Sequence, residues 1–330
     1  MDAFRRARVS DFHGAKASKV MPVSSARIFA VIVTYLPDVA PLRDLLDTLL
    51  VQTSGIVVVD NTPCEDKRVE KLLGERPNQA VRLIRLGTNK GIAQALNVGV
   101  NTAIMAGASH VLLCDQDSLP ARDMAPELLR ALDSMERQGR NPGAAGPTYT
   151  DRYTGLTYPF QAHVPGKFFY GHFRPDDENP IGEVLTLITS GTLIPIAAWK
   201  TIGPMREDFF IDLVDIEWSH RARAAGFALF GTSQAKMFHS MGERSMHVWY
   251  FGWRKESAYA APRIYYRVRN FTALCFSKSI STRWKIRSSW YYLGLIYSHV
   301  FYGEKRMTAL RMAARGLWDG FRGRMGPLQY

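Results

Sequence analysis

The sequence predicts an α/β fold, a mostly parallel sheet with helices on both faces. Four short apolar runs carry that expectation: IFAVIVT (28–34), GIVVVD (55–60), VRLIRL (81–86) and HVLLCD (110–115). They have strand length and are continuous rather than alternating, as strands buried on both faces are. Segments of helical period separate them at the spacing of βαβ units. The chain of 330 residues, 46% of them hydrophobic, is long enough to bury one large core or two ordinary ones without a disulfide or metal staple.

In chain order, helices are expected over 40–50 after Pro37, over 66–73 and over 92–106, each between two of the strands. A further helix is expected over 122–138. Residues 140–182 are rich in Gly, Pro, Tyr and Phe with little periodicity, which predicts an irregular excursion or lid. Regular structure resumes at VLTLITSGTLI (184–194). An acidic helix start follows within 209–226, then a short strand, GFALF (226–230), and then KMFHSMGE (236–243). The last 80 residues are basic, aromatic and mainly helical in pattern.

Charge is unevenly distributed. The net +12 resides at the two ends: residues 251–330 carry fifteen basic and three acidic side chains, residues 1–27 carry six and two, and the middle sums to −4. A basic, disordered arm is expected over 1–27, which has no apolar stretch of the kind a secretory signal needs. Cys64, Cys114 and Cys275 form neither a redox pair nor a zinc ligand set, which fits a reducing compartment. The uncharged stretch 288–303 is shorter than the roughly 20 residues of a spanning helix. Basic residues flank it on both sides, so it reads equally as an interfacial segment or as a core helix.

Chemistry collects at the strand ends. Neither GxGxxG nor GxxxxGK[ST] opens any helix, which removes most of the weight from the dinucleotide and P-loop readings. Thr34 and Tyr35, Asp60 and Asn61, and Asp115, Gln116, Asp117 and Ser118 would all converge on one rim of the sheet, where open α/β sheets bind ligands. Asp115 and Asp117 can hold a hard divalent cation and, through it, a diphosphate; helix capping is the plainer use of such residues. Asp60 can accept a hydrogen bond from a pyrimidine imide, with Tyr35 stacked on the ring. Asn89 caps a helix start at Gly91, and Asn97 lies further along it; such a start can face a phosphate or sugar, or be simply a capped helix with one buried Asn. Asp212, Asp215 and Glu217 are three candidates for a general base at a second helix start.

Together these elements resemble family 2 glycosyltransferases of the GT-A fold and, more narrowly, bacterial rhamnosyltransferases. The resemblance rests on VTYLPD (33–38), VVVDN (57–61), NKGIAQALNVG (89–99), DQDS (115–118), SGTLI (190–194), FFIDLVDIEW (209–218), HSMGE (239–243) and RIYYRVRN (263–270), in that order. It implies a GT-A catalytic domain over 28–250, with a nucleotide-binding half over 28–118 and an acceptor half over 119–250. A helical basic segment over 251–330 would follow. Thr34, Tyr35 and Asp60 would hold base and ribose, with Asn89, Gly91, Asn97, Asp115 and Gln116 also on the donor. Asp117 and Asp115, with His239, would hold Mg or Mn. The family's catalytic Asp falls on Asp215; its neighbouring Glu position is Val214, which leaves Asp212 and Glu217 as rivals. Ser190, Gly191, Thr192 and Trp218 would lie near the sugar or the acceptor.

The activity so implied is single-displacement, inverting transfer of a sugar. The donor would be dTDP-L-rhamnose and the acceptor a lipid-linked glycan or oligosaccharide. The work would be done on the inner face of a cytoplasmic membrane, against an anionic lipid surface and without nucleic acid. A sugar nucleotidyltransferase would need a Gly-rich basic loop after the first strand, and VTYLPD lacks one. A non-catalytic basic protein for nucleic acid or anionic lipid draws support from the tail, where Arg and Lys alternate with Trp and Tyr. RIYYRVRN alternatively fits an amphipathic helix with tyrosines inward and arginines outward.

Overall fold

The computed structural model describes residues 26–75, 78–151, 157–239 and 244–329; the side chains of Asp151, His239 and Arg244 also lie outside the description. The expected arm over 1–27 therefore falls almost entirely outside it, as does most of HSMGE.

The first half follows the sequence pattern closely. Strands β1 (Ile28–Thr34), β2 (Gly55–Asp60), β3 (Val81–Arg85) and β4 (His110–Asp115) alternate with helices α1 (Val39–Leu50), α2 (Arg68–Glu75) and α3 (Ile92–Met105). The strands are parallel in the order β3-β2-β1-β4. Side chains alternate across β1: Phe29, Val31 and Val33 join one apolar core with α3, while Ile28, Ala30 and Ile32 join a second on the opposite face with α1 and α2. Register then aligns the rim, pairing Thr34 with Asp60 and Val33 with Asp115. Strand order reverses between β1 and β4, and a crevice opens outside the strand ends at such a switch point.

Beyond β4 come β5 (Leu119–Pro120), α4 (Met124–Arg137), β6 (Pro142–Asp151), β7 (Phe160–Ala162), β8 (Gly171–Phe173) and β9 (Ile181–Val184). Next are β10 (Thr192–Pro195), α5 (Ile196–Ile202), α6 (Val214–Ala224) and β11 (Ala228–His239). The sheet continues from β4 through antiparallel β10 to β6 and then β11, which is parallel to β6 and also carries β5 and β9. The region expected to be irregular over 140–182 thus contains the ten-residue strand β6 inside the main sheet. Its sequence, PGAAGPTYTD, has low strand propensity. Packing overrides that preference: Ala144 and Ala145 are fully buried, and the Leu187 side chain fills the space where a Cβ on Gly146 would stand. The strand read as GFALF likewise runs on to His239, with an irregularity between Thr232 and Lys236.

Strands β12 (Arg244–Trp249) and β13 (Trp253–Ala258) pair antiparallel across the expected boundary at residue 250, and β13 stands where the basic segment was expected to be mainly helical. Helices α7 (Ala261–Phe276), α8 (Thr282–Phe301) and α9 (Arg306–Phe321) follow. Ile264 and Val268 of α7 pack with Leu295 of α8 and with Ala309 and Ala313 of α9 in a small third core. Among the described residues no helix is long and apolar enough to cross a membrane.

Candidate active site

The rim is a set of interlocked strand ends. Thr34 Oγ1 donates to Asp60 Oδ1 at 3.0 Å, the Thr62 N–H reaches the same oxygen at 3.3 Å, and Arg85 Nε lies 3.7 Å from Oδ2. Asp60 is thereby held as a buried anchor at the end of β2. Tyr35 and Gln116 join the ends of β1 and β4 across the switch point. The Tyr35 N–H donates to Gln116 Oε1 at 2.7 Å, and Gln116 Nε2 donates back to the Tyr35 carbonyl at 3.2 Å. Gln116 is thus a strut that fixes the loop between Asp115 and Asp117, while the Tyr35 ring stands exposed beside it.

One loop supports both groups of carboxylates. Ser190 is buried; its Oγ accepts the Asp115 N–H at 3.3 Å and hydrogen-bonds the Ser118 hydroxyl. The preceding residue, Thr189, donates its N–H to Asp215 Oδ2 at 3.2 Å. Gly191 continues the link through its N–H to the Leu113 carbonyl. Ser190 and Gly191, expected near sugar or acceptor, therefore brace the β4 end, and Thr192 pairs with Leu113 as the first residue of β10.

The three acidic candidates at α6 separate by partner. Glu217 is buried and paired at both oxygens with Arg221, at 3.0 and 2.8 Å. Asp212 receives Arg263 at both oxygens, at 2.6 and 3.1 Å, and Arg267 at 3.1 Å. Asp215 has no basic partner among the described residues and takes the N–H groups of Thr189 and Ile216. Desolvation, augmented by the charges of Asp115 and Asp212, pushes its carboxyl up to about 6 against the opposing effect of those two hydrogen bonds. A carboxylate with that environment can take a proton near neutrality; one already neutralised by arginine is a weaker base.

The approach to α6 is strained and firmly held. Phe210, Asp212 and Leu213 all have left-handed backbone, with φ of 64°, 63° and 62°. Such conformations cost of order 1–3 kcal/mol each and persist where surroundings impose them. Here the surroundings are the RIYYRVRN segment: Asn270 Nδ2 donates to the carbonyls of Phe209, Ile211 and Asp212 at 3.0, 2.9 and 2.8 Å, and Arg269 reaches the Phe209 carbonyl at 2.9 Å. Arg269 is fully buried, which corrects the picture of arginines outward. Arg263, Arg267, Asn270 and Thr189 are site-building residues that sequence reasoning did not single out. Polar residues recurring within an otherwise apolar helix were the available signal for the first three; for Thr189 there was none.

Other expected donor contacts are used internally. At the start of α3 the Lys90 N–H goes to Asn61 Oδ1, the Gly91 N–H to Asn89 Oδ1 and the Ile92 N–H to the Phe210 carbonyl, at 2.7, 3.0 and 2.7 Å. Gly91 has φ 87°, and a Cβ there would lie 2.6 Å from the Phe210 oxygen, so the close approach requires glycine. Asn97 is buried and binds the backbone of Met205 in both directions, and Glu207. Trp218 is a core residue, stacked with Trp199 and donating its indole N–H to the Gly203 carbonyl. In this structure Asn97 and Trp218, expected on the donor and near the sugar or acceptor, have partners within the protein.

Asp115 and Asp117 are partly exposed at the β4 end, and Asp115 is close enough to Asp215 to affect its titration. Two hard carboxylate oxygens suit Mg or Mn, which bind by one or two carboxylates together with substrate phosphates. Among the described residues no group of three metal-binding side chains gathers; Asp115 and Asp117 would supply two ligands to an ion shared with a diphosphate. The side chain of His239 lies outside the description.

Comparison with known proteins accords with this geometry. The family model for glycosyl transferase family 2 matches residues 30–178. A dTDP-rhamnosyl transferase, RfbF of Shigella flexneri, is 31% identical over 249 residues, covering 74% of this chain and 79% of that protein. Among solved structures, residues 1–349 of S. aureus TarS give a TM-score of 0.54 at 13% identity, covering 90% of this chain and 82% of that one. GalNAc-T7, crystallised with UDP, GalNAc and Mn2+, gives 0.50 at 15% identity, with coverage of 65% and 43%. The chain thus spans less than half the length of GalNAc-T7. At these identities the likeness to solved structures is one of fold.

Proposed function

The chain belongs to glycosyltransferase family 2, as a nucleotide-sugar transferase of the bacterial rhamnosyltransferase-like kind with a GT-A fold, and from that premise we propose that it moves L-rhamnose from dTDP-L-rhamnose onto a lipid-linked or cell-surface glycan with inversion. The observation that carries the mechanism is the partition of the three acidic residues. Asp215, without an arginine partner among the described residues and beside the Asp115 strand end, is the base; Asp212 and Glu217, each ion-paired, shape the loop and the helix around it.

In this reading the Tyr35 ring and the Asp60 rim hold the nucleobase, with Asp60 kept in place by Thr34. Asp115 and Asp117 would hold a divalent cation, which when bound offsets negative charge on the diphosphate. Asp215 takes the proton of an acceptor hydroxyl. That oxygen forms a bond to the anomeric carbon from the face opposite the leaving group, and the bond from that carbon to the diphosphate oxygen breaks. The bonding pair leaves with dTDP, so one displacement inverts the anomeric centre. A general base of this kind contributes on the order of 10²–10⁴ in rate. A lipid-linked acceptor would also suit a chain whose C-terminal segment, 251–330, carries fifteen basic and three acidic residues.

A panel of dTDP-, UDP- and GDP-sugars tests the donor assignment. Metal-dependent turnover of dTDP-L-rhamnose in preference to the others supports it. Robust use of a different donor with no turnover of dTDP-L-rhamnose removes the rhamnosyl assignment and leaves the family intact.

A further inference from the structure

The turn between β12 and β13 places Phe251 at a tip where it is 97% exposed, with Trp253 70% exposed beside it. A large ring held out in water by a left-handed turn is costly unless something covers it. These rings are part of a continuous surface. Trp249 packs on Phe251 at 5.5 Å, Trp253 on Tyr302 at 6.3 Å, and Tyr302 on Tyr297 of α8 at 5.7 Å, which in turn meets Phe301 at 5.1 Å. Tyr297 also bonds the Trp249 carbonyl, and Tyr250 bonds that of Gly294, so the tip is braced against α8.

Along α8 the exposed residues Ile286, Trp290, Leu293 and Phe301 recur at helical spacing, while Ser288, Tyr292, Leu295 and His299 face inward. Within the stretch 288–303 one stripe packs, as a core helix would, and the other stands free. Arg254, Lys255, Lys305 and Arg306 border the aromatic surface and are exposed; the acidic side chains along the same border are Glu256 and Glu304. The segment as a whole carries fifteen basic and three acidic residues.

We propose that the β12–β13 tip and the free stripe of α8 form a membrane-docking surface. Phe251 and Trp253 enter the headgroup region of an anionic bilayer, and the flanking basic residues pair with its phosphates. Exposed aromatic rings bordered by positive charge complement such a surface on both counts. No helix among the described residues can span a bilayer, so the attachment is interfacial. The proposal is independent of the donor sugar, because its readout is lipid binding and not transfer.

The test is co-sedimentation of the full chain with vesicles of phosphatidylcholine alone and with roughly one third phosphatidylglycerol added. The wild-type protein should pellet with the anionic vesicles, progressively less as salt rises. Phe251→Ser together with Trp253→Ser should lower partitioning by about tenfold or more, and Lys255→Glu should weaken it chiefly at low salt. The exposed positions of Phe251 and Lys255 leave the packed core unchanged, and an unaltered thermal melt checks that. No pelleting of the wild-type protein with anionic vesicles, or equal pelleting by the double variant, overturns the proposal. So does a concentration-dependent dimer that the double variant makes monomeric, since the surface would then pair two copies.

Discussion

Thr189 donates its backbone N–H to Asp215 at 3.2 Å, while the next residue, Ser190, accepts the backbone N–H of Asp115 at 3.3 Å. One short loop therefore sets the spacing between the proposed base and the proposed diphosphate-metal site. Ser190→Ala removes the brace without touching either carboxylate. We expect the metal concentration for half-maximal transfer to rise several-fold to about tenfold, for a loss of roughly 1 kcal/mol in positioning. Metal titration of initial rates checks this, and an unchanged titration would mean that Ser190 serves packing alone.

Protonation of Asp215 should govern activity on the acid side. Its carboxyl lies at about 6, raised first by desolvation and then by Asp115 and Asp212. Only the ionised form accepts a proton, so kcat/KM, which follows the free protein, should climb with pH through about 6 and level off above it. A profile flat from pH 5 to 8 with chemistry rate-limiting would be inconsistent with this carboxyl as base.

The same shift has the opposite sign for stability. A carboxyl whose folded value lies above its unfolded value favours the folded state while protonated, and that contribution is lost as pH rises through the folded value. Asp215→Asn should therefore make the protein more stable at pH 7, by about 1–2 kcal/mol after allowing for partial exposure. The difference should shrink as pH falls toward 4. Denaturant melts of the two proteins at both pH values measure it.

Asn270 binds three carbonyls of the strained loop before α6 and has no solvent exposure. Asn270→Ala takes the amide donor from the Ile211 and Asp212 carbonyls in a buried place, while the Phe209 carbonyl keeps Arg269. The expected cost is about 2–4 kcal/mol of unfolding free energy, read in urea, with a larger fractional loss of transfer than of donor binding, because the loop carries Asp212 toward Asp215.

The strands β1, β2 and β4 begin and end where their apolar runs do, because a strand buried on both faces leaves a continuous signature that polar rim residues terminate. The rim was legible for the same reason: Thr34, Asp60 and Asp115 are the first polar residues after those runs. β6 was not legible, since Ala144, Ala145 and Gly146 owe their conformation to side chains distant in sequence such as Leu187. The acidic cluster at α6 was visible but undivided. What divides it is tertiary, the arrival of Arg263 and Arg267 from α7 at Asp212 and of Arg221 at Glu217. Asn97 was drawn toward the site by its place on the α3 start and Trp218 by the resemblance, and the partners of both are within the protein.

The most direct test of sugar transfer with Asp215 as base is the single-turnover rate of Asp215→Asn beside Glu217→Gln, with dTDP-L-rhamnose and a glycan acceptor. Asp215→Asn should bind donor as the wild-type protein does and transfer about a hundredfold more slowly or worse, while Glu217→Gln loses stability and keeps transfer within a few-fold. Transfer by Asp215→Asn at the wild-type rate, or its loss in Glu217→Gln with the fold intact, would contradict the assignment.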